Sequence, residues 1–192
     1  MGELLKIDHL SYTYRCPDQD INALKDVSFH VLEGEFISIL GPEGSGKSTL
    51  LSLIAGCILP TKGLIYINGR DIKPSEHYKS RAAILRTLSL DTDILLMDEP
   101  FSALQGENRR SAADELQEML HKEGKTAILV TEDIEEAVSL SDRIVILSGS
   151  PGTVKTILKI PDAIKKETPS AARSIPEFKE YCSMVGKELY YD

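Results

Sequence analysis

At 192 residues and 42% hydrophobic content, the chain is long enough to bury one sizeable core and too short for two full domains. Its net charge of -8 argues against a surface built to neutralise nucleic-acid phosphates or anionic lipid, so no nucleic-acid partner is expected. Cys16, Cys57 and Cys182 are odd in number, far apart and without metal-ligand spacing, which predicts buried or inert thiols in a reducing compartment. With no apolar run of signal-peptide or membrane-span length, a cytoplasmic chain is expected.

In chain order, "LLKIDHLSYTY" and "ALKDVSFHV" show the period-2 apolar pattern of half-buried strands, and "EFISIL" is a short apolar run entering a glycine-rich turn. "STLLSLIAGCI" predicts a helix with Leu50, Leu51, Ile54 and Ala55 on one face, ending near Gly56 and Pro60. "LIYINGRDI" reads as a hairpin, because Asn68-Gly69 is the dipeptide that type I′ turns prefer. A helix is expected in "SRAAILRTLSL" and a buried strand in "DILLMDEP". "ENRRSAADELQEMLHKEG" predicts an amphipathic helix with Ala112, Leu116, Met119 and Leu120 inward and Gly124 closing it. "TAILV", "DIEEAVSL" and "RIVIL" continue an alternation of strand and helix, which implies a largely parallel sheet with helices on its faces. From Pro151 onward come a strand-like "TVKTILKI", a Pro-interrupted connection and a last helix presenting Phe178, Cys182, Val185 and Leu189 at helical spacing.

Two motifs carry chemistry. "GPEGSGKST", Gly41 to Thr49, fits G-x-x-x-x-G-K-[ST] between a strand and a helix, the context that a phosphate-binding loop requires. Gly41, Gly44 and Gly46 let the backbone curl around Ser45 so that successive N–H groups meet one anion, and the helix N-terminus adds its positive dipole end. Lys47 would reach the outer phosphates, Ser48 would ligate magnesium, and Thr49 completes the loop. "ILLMDEP" sets Asp98 and Glu99 at the end of an apolar strand, where carboxylates are out of place unless they face a site. Asp98 would hold Mg2+ through water, and Glu99 would accept a proton from, or orient, the water that attacks the terminal phosphate. His9, His30, His77 and His121 are scattered and read as surface or strand residues.

"LSYTYR", "ALKDVSFHVLEGEFISILGPEGSGKSTLLSLIAG", "LLMDEPFSAL" and "EEAVSLSDRIVILSGSPG" together resemble the nucleotide-binding subunit of ATP-binding-cassette (ABC) transporters. "DEPFSAL" and "SDRIVILSGSPGTV" look most like the nitrate, sulfonate and taurine importer branch. The resemblance implies ATP with Mg2+ as ligand, a separate membrane permease and a possible second ATPase subunit as partners, and a place at the inner face of the membrane. It also implies that adenine stacks on Tyr14, with Tyr12 the neighbouring candidate and a strand-end core tyrosine the alternative role.

The chain departs from that family in several places. The interval from Lys47 to Asp98 is too short for the family's helical subdomain and contains no glutamine. "PSEHY" lies where the family has an "LSGGM"-like signature, so that only Ser75 survives while Glu76 and His77 replace the two glycines. Gln105 stands where an aspartate usually sits at the dimer seam. Glu132 replaces a histidine that bonds the terminal phosphate; its carboxylate either repels that phosphate or swings to solvent.

The expected fold is therefore an α/β P-loop core of ABC type, with a mainly parallel central sheet, flanking helices, an N-terminal antiparallel strand region and a truncated helical subdomain. One domain is expected over residues 1–192. Residues 1–72 hold the N-terminal strands, phosphate loop and first helix, 73–80 the subdomain remnant, 81–152 the rest of the core, and 153–192 the C-terminal strand and helix. The expected function is the ATP-binding (ATPase) subunit of an importer of a small solute, with weak or partner-dependent hydrolysis. The alternatives are a degenerate cassette that binds nucleotide with little hydrolysis and acts as a regulatory or pairing subunit, and a DNA-repair or chromosome-structure ATPase. The last lacks support, because nothing resembles coiled-coil arms and the charge is acidic.

Overall fold

The computed structural model describes residues 2–71 and 94–191. The expected subdomain remnant over 73–80, with Ser75, Glu76 and His77, and the helix predicted over 80–90 lie outside the described residues.

Two sheets carry the fold. The first is antiparallel and four-stranded, in the order β2-β1-β4-β5, built from β1 (Glu3–Tyr14), β2 (Ile21–Leu32), β4 (Lys62–Ile67) and β5 (Arg70–Asp71). Along β1 the alternation that buries Leu5 and Ile7 resumes at Leu10. The register against β2 shifts between Ile7 and Leu10, and His9, at φ 50°, takes up the irregularity. Asp26 on β2 is also left-handed, at φ 55°, and beyond it Val27, Phe29 and Val31 alternate inward. The β4–β5 hairpin turns at Asn68 and Gly69, both with positive φ (50° and 69°), as the type I′ dipeptide predicts.

The second sheet has five strands in the order β6-β7-β3-β8-β9: β3 (Phe36–Leu40), β6 (Ile94–Asp98), β7 (Thr126–Val130), β8 (Arg143–Leu147) and β9 (Val154–Lys159). The first four in that order pair in parallel and β9 closes the edge antiparallel to β8. Every residue of β3 and β7 is buried, because both faces of this sheet are covered, which accounts for continuous apolar runs in place of alternation. Helix α1 (Lys47–Ile54) packs into the core between the sheets, with Leu50, Leu53, Ile37, Ile128 and Leu10 among its members. Two further clusters cover the remaining surface of the second sheet. Helix α2 (Gly106–Glu123) packs Ala113 and Leu120 against Phe36, Ala127 and Leu129. Helices α3 (Ile134–Leu140) and α6 (Pro176–Tyr190) enclose Leu40, Ile144, Val185 and Phe178.

The expected α/β architecture, with its parallel sheet and antiparallel N-terminal region, is what the chain forms. Several local expectations need correction. α1 stops at Ile54 rather than running on toward Ile58, because Gly56 turns left-handed at φ 69°. On α2, Met119 is exposed rather than inward, and Ala113 takes the buried position. The Pro-interrupted connection contains two one-turn helices, α4 (Asp162–Lys165) and α5 (Pro169–Ala172), the second capped by the Thr168 hydroxyl, which accepts from Ala171 N–H. Of the three thiols, Cys16 is exposed rather than buried. Among the described residues no helix is long and apolar enough to cross a membrane.

Candidate functional site

β7 lies between β3 and β6, with Val130 beside both Ile39 and Asp98. The chain segments leaving the carboxyl ends of these three strands therefore meet: the glycine-rich loop after β3, Thr131-Glu132 after β7, and Asp98-Glu99 at the end of β6. In an open parallel sheet this end is where ligands bind.

The loop is held by its surroundings as much as by its own sequence. Gly46, at φ 86°, caps α1 without a side-chain bond, and a Cβ there would lie 2.8 Å from the carbonyl oxygen of Ala23 and 2.7 Å from Leu24 Cδ2. A Cβ at Gly152 would fall 2.0 Å from Ser45 O. Both close approaches exclude a side chain. The Gly152 N–H donates to Ala23 O at 2.9 Å and its carbonyl accepts from Lys25 N–H at 2.8 Å, which ties the first sheet to the loop's base. Gly41 and Ser45 are buried, Gly44 is exposed at φ 76°, and Ser48 is exposed. The buried Ser45 hydroxyl has no hydrogen-bond partner among the described residues. The Tyr14 hydroxyl shares a 3.0 Å hydrogen bond with Thr49 Oγ1. The Tyr14 ring lies edge-on to Tyr12, with centroids 4.8 Å apart. Of the two tyrosines, Tyr14 is exposed beside the loop, while Tyr12 packs against the core.

Lys47 is buried, and its ammonium donates to Gly41 O at 2.8 Å, Pro42 O at 3.0 Å and Glu132 Oε1 at 3.1 Å. Glu132 therefore neither stands apart from the loop nor turns wholly to solvent: its side chain is 60% exposed while one oxygen is paired with Lys47. Asp98 is exposed at the strand end. Glu99 follows in a left-handed conformation, φ 47°, its N–H donating to Val130 O at 2.9 Å. One of its carboxyl oxygens, Oε1, is buried without a hydrogen-bond partner among the described residues. Burial pushes its pKa above the ordinary carboxylate value, and the charges of Glu132 and Glu136 add to that rise while a backbone hydrogen bond from Glu132 opposes it. Gln105 is exposed and caps α2 in an extended conformation.

A second layer of residues was not anticipated from the sequence. Glu136, on α3, is 1% exposed, and both Nε and Nη2 of Arg109 donate to its Oε1 at 2.5 Å. Arg109 Nη2 also meets Asp133 Oδ2 at 3.1 Å. Thr131 Oγ1 accepts from Asp133 N–H at 3.1 Å and lies 2.8 Å from Glu136 Oε2 and 3.4 Å from Glu99 Oε2. A hydroxyl has one proton to give, so the shorter contact takes it and Glu99 is left weakly bonded. The sequence signal for part of this was Asp133-x-x-Glu136, a helix-start pattern. The Asp133 carboxylate does accept from Glu136 N–H at 3.0 Å, but the Glu136 side chain turns to Arg109 instead of back to the cap.

Residues 24–82 match the ABC transporter family. Over 247 aligned residues the chain is 32% identical to the uncharacterized ABC transporter ATP-binding protein YtlC of Bacillus subtilis, covering 96% of this chain and 95% of that protein. It is 28% identical to the taurine import ATP-binding protein TauB of Ruegeria pomeroyi, covering 83% of each. Among solved structures, the dimeric ATP-binding cassette MJ0796, in a post-hydrolysis state bound to ADP and Pi, superposes with a TM-score of 0.68 at 24% identity, over 82% of this chain and 99% of that one; at that identity the likeness speaks for the fold alone. With the loop, the strand-end carboxylates and the cassette architecture in one chain, the extent of the match to YtlC makes this protein a member of the ABC transporter ATP-binding proteins.

Proposed function

We propose that the chain binds ATP with Mg2+ at the loop and hydrolyses it to drive import of a small solute through a separate membrane permease, working at the cytoplasmic face beside a second ATPase subunit. The observation that carries this reading is the placement of Lys47 and Ser48 beyond the carboxyl end of β3 and of Asp98 and Glu99 at that of β6, on either side of β7. The importer direction is supported by the name of the taurine relative. The alignment with YtlC runs over 247 residues against 192 in this chain, so it bridges gaps, in keeping with a shortened helical region.

The residues present fit the ligand. The loop backbone turns through two left-handed glycines, Gly44 and Gly46, and Gly46 caps α1 without a side-chain hydrogen bond, which suits an anion. The Ser48 hydroxyl and the Asp98 carboxylate, both exposed, are hard oxygen donors of the kind Mg2+ takes, and they would hold it. Bound there, the metal would supply positive charge to the phosphates as they separate. Lys47 would meet the outer phosphates, and Tyr14, fixed through Thr49, would offer its face to adenine. Glu99, with its raised pKa and unbonded Oε1, would take a proton from the attacking water more readily than an ordinary carboxylate. Gln105, neutral where the family has an aspartate, would face the partner subunit.

A second reading, a cassette that holds nucleotide with little hydrolysis, is favoured by the Lys47–Glu132 pair, which engages the loop's own cation. Phosphate release distinguishes the two. Hydrolysis predicts release from ATP that requires Mg2+ and is lost in Glu99→Gln, whereas binding without release, alone and with the permease present, supports the second reading.

A further inference from the structure

An ammonium has three N–H donors, and all of those on Lys47 are engaged: Gly41 O at 2.8 Å, Pro42 O at 3.0 Å and Glu132 Oε1 at 3.1 Å. The first two acceptors are carbonyls of the loop itself. The third sits on a side chain that is 60% exposed, whereas Lys47 is 8% exposed. A phosphate that reaches Lys47 must therefore take the place of the Glu132 carboxylate, the one acceptor free to move by side-chain rotation.

The Glu132 side chain can rotate, but its backbone is anchored. Its neighbours fix the backbone on both sides: Thr131 N–H donates to Ile39 O at 3.4 Å, Asp133 N–H donates to Thr131 Oγ1 at 3.1 Å, and Asp133 caps α3. Released from Lys47, the carboxylate stays within a side chain's reach of the loop and of Glu99, whose pKa it already helps to raise.

We propose that Glu132 is a specificity-determining residue, a built-in anion that pairs with Lys47 and, once displaced by phosphate, opposes the last phosphate of a longer chain, so that the site selects a nucleoside diphosphate over a triphosphate. This rests on reading the loop as a nucleotide site. Two effects separate by magnitude. Breaking a half-exposed ion pair is a small cost that falls on both nucleotides, roughly fivefold in affinity at most. Repulsion between the carboxylate and a further phosphate falls mainly on the triphosphate. At a separation of about 5 Å even an effective dielectric near 20 leaves an interaction larger than that of the exposed pair, and solvent screening reduces it to roughly tenfold.

The test is calorimetric titration of ADP and of the non-hydrolysable β,γ-imido analogue of ATP, with Mg2+, into wild type, Glu132→Gln and Glu132→Ala. In both variants the diphosphate should bind no more than roughly fivefold more tightly than in wild type and the triphosphate roughly tenfold to fiftyfold, so that the affinity ratio moves roughly tenfold toward the triphosphate. The movement should shrink at high salt. A ratio unchanged in both variants, or moved toward ADP, overturns the proposal while leaving the nucleotide site standing. Absence of binding by all three proteins overturns the nucleotide reading itself.

Discussion

Replacing Arg109 with alanine should expose how the site's second layer is held. Glu136 is 1% exposed, and its Oε1 depends on two nitrogens of Arg109 at 2.5 Å. Removing one partner of a buried ion pair typically costs about 3–5 kcal/mol, because the remaining charge stays desolvated. Arg109 is itself 31% exposed and Glu136 keeps the Thr131 hydroxyl on its other oxygen at 2.8 Å, which points to the lower end, about 3 kcal/mol. For a chain of this size about 1 kcal/mol shifts the melting temperature by roughly 2–4 °C, so Arg109→Ala should melt roughly 6–12 °C below wild type at pH 7. The double variant Arg109→Ala with Glu136→Gln removes the stranded charge and should recover more than half of that loss. Thermal unfolding followed by circular dichroism, with both single variants, completes the cycle. A loss of less than about 2 °C, or no recovery in the double variant, would mean that the pair does not stabilise the fold as its burial suggests.

Glu99→Gln should stabilise the protein by about 1 kcal/mol at neutral pH, since it removes a charge from a partly buried carboxyl with an unbonded oxygen. The Glu99 pKa is raised from 4.5, so its contribution is fully present below that value and lost as pH rises through the folded-state value. The advantage of the variant should therefore vanish near pH 4 in melting curves and grow toward pH 7. The His9 imidazole, hydrogen-bonded to Asp26 Oδ1 at 2.6 Å, should titrate above 6.5 by NMR, chiefly through that bond and the Asp26 charge. Its stabilising effect is present below 6.5 and disappears as pH rises through the raised value, and Asp26→Asn should reduce the shift, leaving the smaller contribution of the Asp8 charge. Gly46→Ala should lower stability by about 2 kcal/mol or more, because alanine must adopt φ 86° with its Cβ against the Ala23 carbonyl; chemical denaturation measures it.

Much of the fold was legible because its signals were local. The alternation in β1 and β2, the apolar runs of β3, β6, β7 and β8, and Asn68-Gly69 each state their own structure. Met119 misled because it lies at the margin of the inward stripe of α2, where a turn of a few tens of degrees gives the buried place to Ala113. At the site, the loop and Asp98-Glu99 announce themselves because they place charge and glycine where apolar strands end. The Arg109–Glu136–Thr131 layer does not, since Arg109 comes from a helix that begins after β6 and Glu136 from the one after β7, and only the packing of α2 beside α3 joins them. The role of Glu132 was half legible. Its charge was evident in the sequence, but its partner, Lys47, is 85 residues away in the chain.

Whether Lys47 and its loop form the nucleotide site is decided by titration calorimetry of ATP with Mg2+ into wild type and Lys47→Ala. Wild type should give saturable heat with one site per chain, and Lys47→Ala, checked by melting to be folded, should give none, because the charge that meets the outer phosphates is gone. No heat from wild type up to about 1 mM ATP, or undiminished binding by Lys47→Ala, would contradict it.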